Sequence, residues 1–417
     1  MTTPGQRPPH LRTILVLGLL STFGPISLDL YLPALPELAR DLEATPSSAQ
    51  LTITACLLGL AVGQLVAGPL SDRYGRRRPL VIGLALYLLT SAACAFAPSI
   101  AVLLLLRLLQ GLAGAAGLVV SRAIARDLYS GRRLVIVFSR LMLVSGLAPV
   151  VAPVLGGQLS RVMSWRGIFV VLAAFGVVLL AAGLFGLGET LPQDRRVSGG
   201  VPATLRGFRS LLRDRLFVAV VAASGLAGAS MFAYIAGATF VLQRVYGMSP
   251  QGFSFVFGAN SLGIMAMGQI GGQLAHRWSP SRVLGIGLLI NLTGAAALAT
   301  SVLAAAWLPF LIGSLFVMVS GIGMVFPTST ALALADYPHQ AGTASSLLGL
   351  GQYVAGAAVA PLVGIAGEDT AIPLGVVALS CSGCASAIFF LVALPAVWRR
   401  HLDHAADLPV VSDSPRA

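Results

Sequence analysis

Twelve times along this chain an apolar run of about 20 residues is followed by a short stretch that is charged or broken by Gly and Pro. A run of that length is what a helix needs to cross the hydrocarbon core of a bilayer. The runs lie near 13–36, 48–70, 79–97, 99–123, 134–158, 166–187, 216–239, 251–274, 283–304, 307–334, 342–365 and 372–397. A soluble alternative fails on composition. Only 10% of the residues are charged and 56% are hydrophobic, whereas a soluble domain carries about 25% charged residues to coat its surface. The expected fold is an all-α polytopic membrane protein with 12 transmembrane helices. Residues 1–12 are polar, and the first apolar run is too long for a signal-peptide core and lacks a small-residue cleavage site. That run is expected to stay in the protein as a helix.

Every one of the 27 basic residues is Arg. Without Lys there is no phosphate loop of the G-x-x-x-x-G-K-[ST] type and no Schiff-base chemistry, so the chain is not an ATP-driven pump of that kind. The Arg residues sort by topology. With the N-terminus in the cytoplasm, 22 lie on that side, Arg40, Arg161, Arg166 and Arg244 lie outside, and Arg107 falls within a span. This asymmetry puts both termini inside. It also explains the net charge of +12 without a nucleic-acid partner. Cys56, Cys94, Cys381 and Cys384 all sit in apolar runs as small packing residues, and the five His have no metal-ligand spacing. No cofactor or metal is expected.

The longest polar segment, Gly188 to Arg215, falls midway along the chain. It reads as a cytoplasmic linker between a six-helix bundle at 1–187 and a second at 216–398, with a cytoplasmic tail at 399–417. A repeat supports this division. Residues 68–88 match 272–292 at an offset of 204, with Gly68/Gly272, Leu70/Leu274, Arg73/Arg277, Arg78/Arg282 and Gly83/Gly287 coinciding. Two pseudo-symmetric halves of the same orientation are a known transporter architecture.

The loop after the second span, Gly68-Pro-Leu70-Ser-Asp72-Arg73-Tyr-Gly75-Arg76-Arg77-Arg78, resembles the signature of the major facilitator superfamily, G-x-L-a-D-r-x-G-r-r/k. The resemblance covers nearly the whole chain. It implies that Asp72 caps a helix of the opposite half and that Arg76 or Arg73 pairs with an acid ending helix 4, here Asp127. Such a latch at Asp72, Arg73, Gly75, Arg76 and Asp127 would hold the cytoplasmic side shut, and Arg122 would lie near it. The second copy carries His276 in place of Asp72, so the latch is expected to be lopsided.

In helix 5, Gly146, Pro149, Pro153, Gly156 and Gly157 resemble the motif of the drug:proton antiporters, with Ala152 where Gly is usual. Small residues there allow close helix approach and the prolines kink the helix. Asp29-Leu-Tyr31-Leu-Pro33-Ala-Leu-Pro36, Ser164-Trp165-Arg166, Glu189-Thr190-Leu191, Phe232-Ala-Tyr234 and Ala341-Gly342-Thr343 together resemble the bicyclomycin/chloramphenicol-type (Bcr/CflA) exporters. That resemblance implies a monomer in the bacterial inner membrane exchanging a small, fairly apolar drug for protons by rocker-switch alternating access. A metabolite exporter (amino acid, dipeptide or sugar) or a substrate:proton symporter has the same fold, although the helix 5 motif disfavours symport. The spans hold no constellation for a membrane-embedded enzyme.

Of 15 acidic residues, only Asp29 is deep inside an apolar run, and a lone carboxylate there is by default functional. Asp29 lies roughly 10 Å below the outer boundary and Arg107 about 12 Å, counting 1.5 Å per residue. The two are expected to face each other between helices 1 and 4 and to carry the coupling protons, Arg107 switching Asp29 between holding and releasing one. The cargo site is expected among Tyr31, Gln110, Met142, Met231, Tyr234, Phe257, Asn260, Gln352 and Tyr353, which offer apolar and aromatic walls with a few polar groups.

Overall fold

The computed structural model describes residues 11–129, 131–193, 196, 209–275, 277–304, 306–337, 341–367 and 370–399. His276, most of the linker and residues beyond 399 lie outside them. All regular structure among the described residues is helical. The first span, α1, is broken into Leu11–Ser21, Phe23–Asp29, a 3-10 turn at Leu32–Ala34, and Leu35–Asp41. Eleven helices follow: α2 Pro46–Tyr74, α3 Arg77–Ala95, α4 Ile100–Leu128, α5 Gly131–Leu159, α6 Trp165–Gly186, α7 Arg215–Phe240, α8 Pro250–Leu274, α9 Pro280–Leu303, α10 Leu308–Leu334, α11 Ala341–Val359 and α12 Ile372–Ile388. Ten helices are long and apolar enough to cross a membrane, and the first span, bent by 42°, makes an eleventh. With α5, whose shorter apolar stretch is Val144–Leu159, the helical segments among the described residues fit the expected twelve.

Helix starts follow ordinary capping chemistry. Thr45, Ser99 and Ser249 accept the N–H of Ser48, Val102 and Gly252, and Pro46, Pro250 and Pro280 occupy first-turn positions where a missing N–H is no loss. The repeat is visible in packing. In the first half Gly59 lies on the backbone of Leu108 and Gly111 on that of Cys56, bringing α2 and α4 into backbone contact; in the second Gly323 lies on Ile264, joining α8 and α10. Tyr87 of α3 bonds Ser27 of α1 at 3.0 Å, and Asn291, 204 residues after Tyr87, bonds Ser230 of α7 at 3.1 Å.

Prolines leave carbonyls free, and the fold uses them to join its halves. A proline lacks the N–H that would bond the carbonyl four residues earlier. Pro153 so frees the carbonyl of Pro149, which accepts from Ser261 of α8 at 3.0 Å. Pro361 frees that of Ala357, which accepts from Thr54 of α2 at 3.0 Å. Further bonds run from Ser47 to Pro361, Gln50 to Ala236, Gln243 to Pro33 and Gln251 to Gly157. All six lie toward the end of the bundle opposite the Arg-rich loop at 75–78. One apolar core runs through the first half and across this seam into the second, while a separate core packs the second half near the Arg-rich end. The halves are sealed at one end.

Candidate transport site

The break in α1 decides where its side chains point. Pro33 denies the carbonyl of Asp29 its helical partner, so the helix stops at Asp29 and the carbonyls just before it are left to find donors. Arg107 of α4 takes one of them. Its two terminal nitrogens both donate to the Ser27 carbonyl at 3.1 Å, and one also donates to Gln110 Oε1. The guanidinium lies 4.4 Å from the Tyr31 ring and 5.6 Å from the Phe169 ring. A cation at a helix C-terminus, flanked by aromatic faces, is held without a carboxylate. Around it Tyr31 Oη meets Thr52 Oγ1 at 3.0 Å and Gln110 Nε2 donates to Ser91 at 2.7 Å, while Arg107 Nε is buried without a hydrogen-bond partner among the described residues.

Asp29 is not part of this shell. Residues 27 and 31 share a face of a helix, and residue 29 lies about 200° round from 27 at 3.6 residues per turn. Asp29 accordingly faces the other half, within electrostatic reach of Tyr234 on α7. It is 6% exposed, and its carboxyl has no hydrogen-bond or ion-pair partner among the described residues. The expected Asp29–Arg107 pair is therefore not formed. Tyr31 and Gln110, expected on the cargo wall, stand instead in the packed interior of the first half.

Three other expected residues do gather beside Asp29. Asn260 donates to Tyr234 Oη at 2.9 Å, and the Phe257 ring stacks on Tyr234 at 5.2 Å and 21°. The Asn260 carbonyl oxygen is buried without a partner. Further toward the Arg-rich end, half-buried Tyr353 packs on Phe232 at 6.2 Å and reaches Gln64 of α2. Arg122 is exposed and within electrostatic reach of Tyr353. Gln352 is half-buried beside Gly228, and Met231 is half-buried on α7. The side chain of Met142 lies outside the described residues. In α5, Gly156 lies against the backbone of Leu30, one residue after Asp29, and Gly157 against Ser254 and Pro250 of α8. Among the described residues nothing lies within 4 Å of a Cβ placed on Gly146. The α5 motif thus touches both the break in α1 and the opposite half.

At the Arg-rich end, Arg76 donates to Asp127 at 2.8 Å and to Ser71 at 2.9 Å, and also pairs with Asp72. Asp72 turns into its own loop, contrary to the expectation that it caps a helix of the other half. Arg73 is exposed and stacks on Tyr74. Sequence reasoning missed one member. Glu189, just past α6, accepts the N–H of Arg76 at 2.8 Å and of Arg77 at 3.3 Å, and Thr190 donates to Asp127 at 3.0 Å. Gly75, at φ +89°, makes the turn that exposes those N–H groups. Partial burial of the Glu189 carboxyl works against its charge, but the four backbone N–H groups of Leu191, Arg76, Arg77 and Thr190 outweigh it and hold the carboxyl below the usual range. Its sequence signal is the Glu189-Thr190-Leu191 stretch just past the helix, which reads there as a family marker and not as part of the latch.

The sequence profile of the Major Facilitator Superfamily matches residues 17–361. The chain belongs to the major facilitator superfamily. Relatives within it include an uncharacterized MFS-type transporter, YdgK, of Bacillus subtilis (strain 168), 40% identical over 91% of this chain and 95% of the relative. A bicyclomycin resistance protein homolog of Haemophilus influenzae is 32% identical over 87% and 91%, and a chloramphenicol resistance protein of Pseudomonas aeruginosa 31% identical over 88% and 87%. The solved structure of a bacterial homolog of the human lysosomal transporter Spinster, inward-facing and unoccupied, shares the fold at a TM-score of 0.72 and 16% identity, covering 93% of this chain and 98% of that one. This superfamily member is a multi-pass membrane transporter of small molecules, related to bicyclomycin/chloramphenicol-type exporters, and not an enzyme.

Proposed function

We propose that the protein exports small, fairly apolar drugs of the chloramphenicol or bicyclomycin kind from the bacterial cytoplasm in exchange for protons, with Asp29 as the proton carrier. The observation that carries this reading is the buried, partnerless Asp29 carboxyl at the seam beside Tyr234. An ionised carboxylate is stable in a hydrated cavity and costly in a closed, dry seam. The halves can therefore swing when Asp29 carries a proton, or when a cargo hydrogen-bond donor satisfies it, but not when it is charged and alone. Proton and cargo then drive opposite strokes, which is exchange. The Asn260 oxygen offers the cargo a second acceptor, and the Tyr234–Phe257 stack an aromatic wall. Arg107 acts in this reading by position: it holds the end of the α1 segment that presents Asp29 and does not touch the proton.

With both termini in the cytoplasm, the sealed end is the outer one. Purified protein in liposomes, with an imposed pH gradient and a pH-sensitive dye inside, tests the proposal. Chloramphenicol or another compound of a small panel should move protons through wild type and not through Asp29→Asn. Proton flux that survives the substitution would move the carrier elsewhere, and a response to amino acids, dipeptides or sugars alone would make this a metabolite exporter.

A further inference from the structure

On the outer wall of the second half, at the Arg-rich end, α9 and α12 part to leave a cleft of about 670 Å³. Its depth is apolar, with Gly285 at the foot against the rings of Phe389 and Phe390. These rings belong to a π-helical turn, Phe389–Ala393, that interrupts the regular course of α12. Such turns recur at functional sites. Trp278 and Trp398, 44% and 66% exposed, flank the mouth, as tryptophans do at the level of lipid headgroups.

The mouth is positive. Arg282 is exposed and has no carboxylate within ion-pair distance among the described residues. Beside it Ser279 stands at the start of α9 with no side-chain bond to the helix backbone, its hydroxyl meeting that of Ser281 at 3.1 Å. Cation, hydroxyls and helix N-terminus all favour an anion here. The repeat gives Arg282 and Trp278 counterparts at the same offset of 204 residues, Arg78 and Tyr74, which line a cleft on the first half.

We infer that the α9–α12 cleft binds one anionic phospholipid of the adjacent leaflet, its phosphate on Arg282 and Ser279 and an acyl chain along Gly285 and Phe390. The occupant follows from position and charge. In the bilayer an apolar cleft on the outer wall is reached by lipid tails rather than water, and basic pockets between spanning helices select acidic headgroups.

The test is native mass spectrometry of the full chain, purified and exchanged into phosphatidylglycerol or phosphatidylcholine. Wild type is expected to keep one phosphatidylglycerol under activation that strips phosphatidylcholine. Arg282→Gln, an exposed position that leaves the fold intact, is expected to lower phosphatidylglycerol retention by about fivefold, the worth of one Arg near a charged headgroup. Arg209→Gln, an exposed Arg outside the cleft, is expected to leave it unchanged. Phe390→Trp, which fills the cleft, is expected to weaken retention of both lipids. Equal retention of the two lipids by wild type, or equal losses in Arg282→Gln and Arg209→Gln, overturns the site.

Discussion

Ser27 and Asp29 stand two residues apart on α1 and serve opposite faces of it: the Ser27 carbonyl holds Arg107 inside the first half, while Asp29 turns to Tyr234 in the second. The cation and the acid of the membrane interior are thus separated by the width of one helix. Arg107 is held inside the first half, and Asp29 stands apart from it at the seam.

The separation predicts opposite stability effects. Arg107→Gln loses bonds from a charged donor to Ser27 and a cation–π contact with Tyr31, together about 3 kcal/mol. Asp29→Asn breaks no partner. Thermal unfolding in detergent is expected to fall clearly for the first and to stay at the wild-type value, or rise, for the second. Arg107→Lys is expected to recover only part of the loss, because an ammonium has no planar face to lay between two rings.

The proline-freed carbonyls predict how the sealed end opens. Ser261→Ala and Thr54→Val each remove one cross-half bond worth about 1 kcal/mol. Together they change the ratio of open to sealed by a factor of about 30. Spin labels at exposed Val162 and Trp307, in a Cys384→Ser background since the other three cysteines are buried, report the distance across that end. The double variant is expected to populate a longer distance, and an unchanged distribution would mean the bonds do not hold the seal.

Glu189 predicts a pH dependence at the Arg-rich end. Its carboxyl is held below the ordinary value by backbone N–H groups, so its contribution is fully present above the unfolded-state value near 4.3 and is lost as pH falls through the lower, folded value. Amide protection factors at Arg76 and Arg77 are expected to hold from neutral pH down to about 4 and to drop below it. Glu189→Gln is expected to lower them already at pH 7. Gly75→Ala is expected to do the same at a cost of about 3 kcal/mol, since φ +89° with ψ 164° is a glycine conformation and an added Cβ would press on the Glu189 carboxylate.

Much of this was legible in the sequence. Apolar runs of spanning length gave the helices, and the match of Arg73 with Arg277 and Arg78 with Arg282 gave the repeat. Asp29 stands out as the one acid deep in a span, and the resemblance implies Asp127 as partner of Arg76 or Arg73, of which the structure selects Arg76. The Asp29–Arg107 pairing failed because depth was counted and rotation was not: the 200° between residues 27 and 29 was available from the helical period alone. Tyr31 and Gln110 follow from the same oversight, since both share the Arg107 face. The seam was harder to foresee. A proline at i+4 marks a free carbonyl, but which hydroxyl reaches it depends on how two distant helices cross, so Ser261 and Thr54 emerge only in three dimensions. Glu189 is of the same kind, a loop acid whose partners are backbone groups 113 and 112 residues away.

The most direct test of Asp29 as the shared site of proton and cargo is proton release on binding. Purified protein in weakly buffered detergent at neutral pH is mixed with chloramphenicol or another transported compound, and the protons released are counted with a pH dye. Wild type is expected to release protons in step with cargo bound, and Asp29→Asn to bind cargo and release none, with Tyr234→Phe retaining the release. Release of the same size from Asp29→Asn would contradict the central claim and assign the proton to another group.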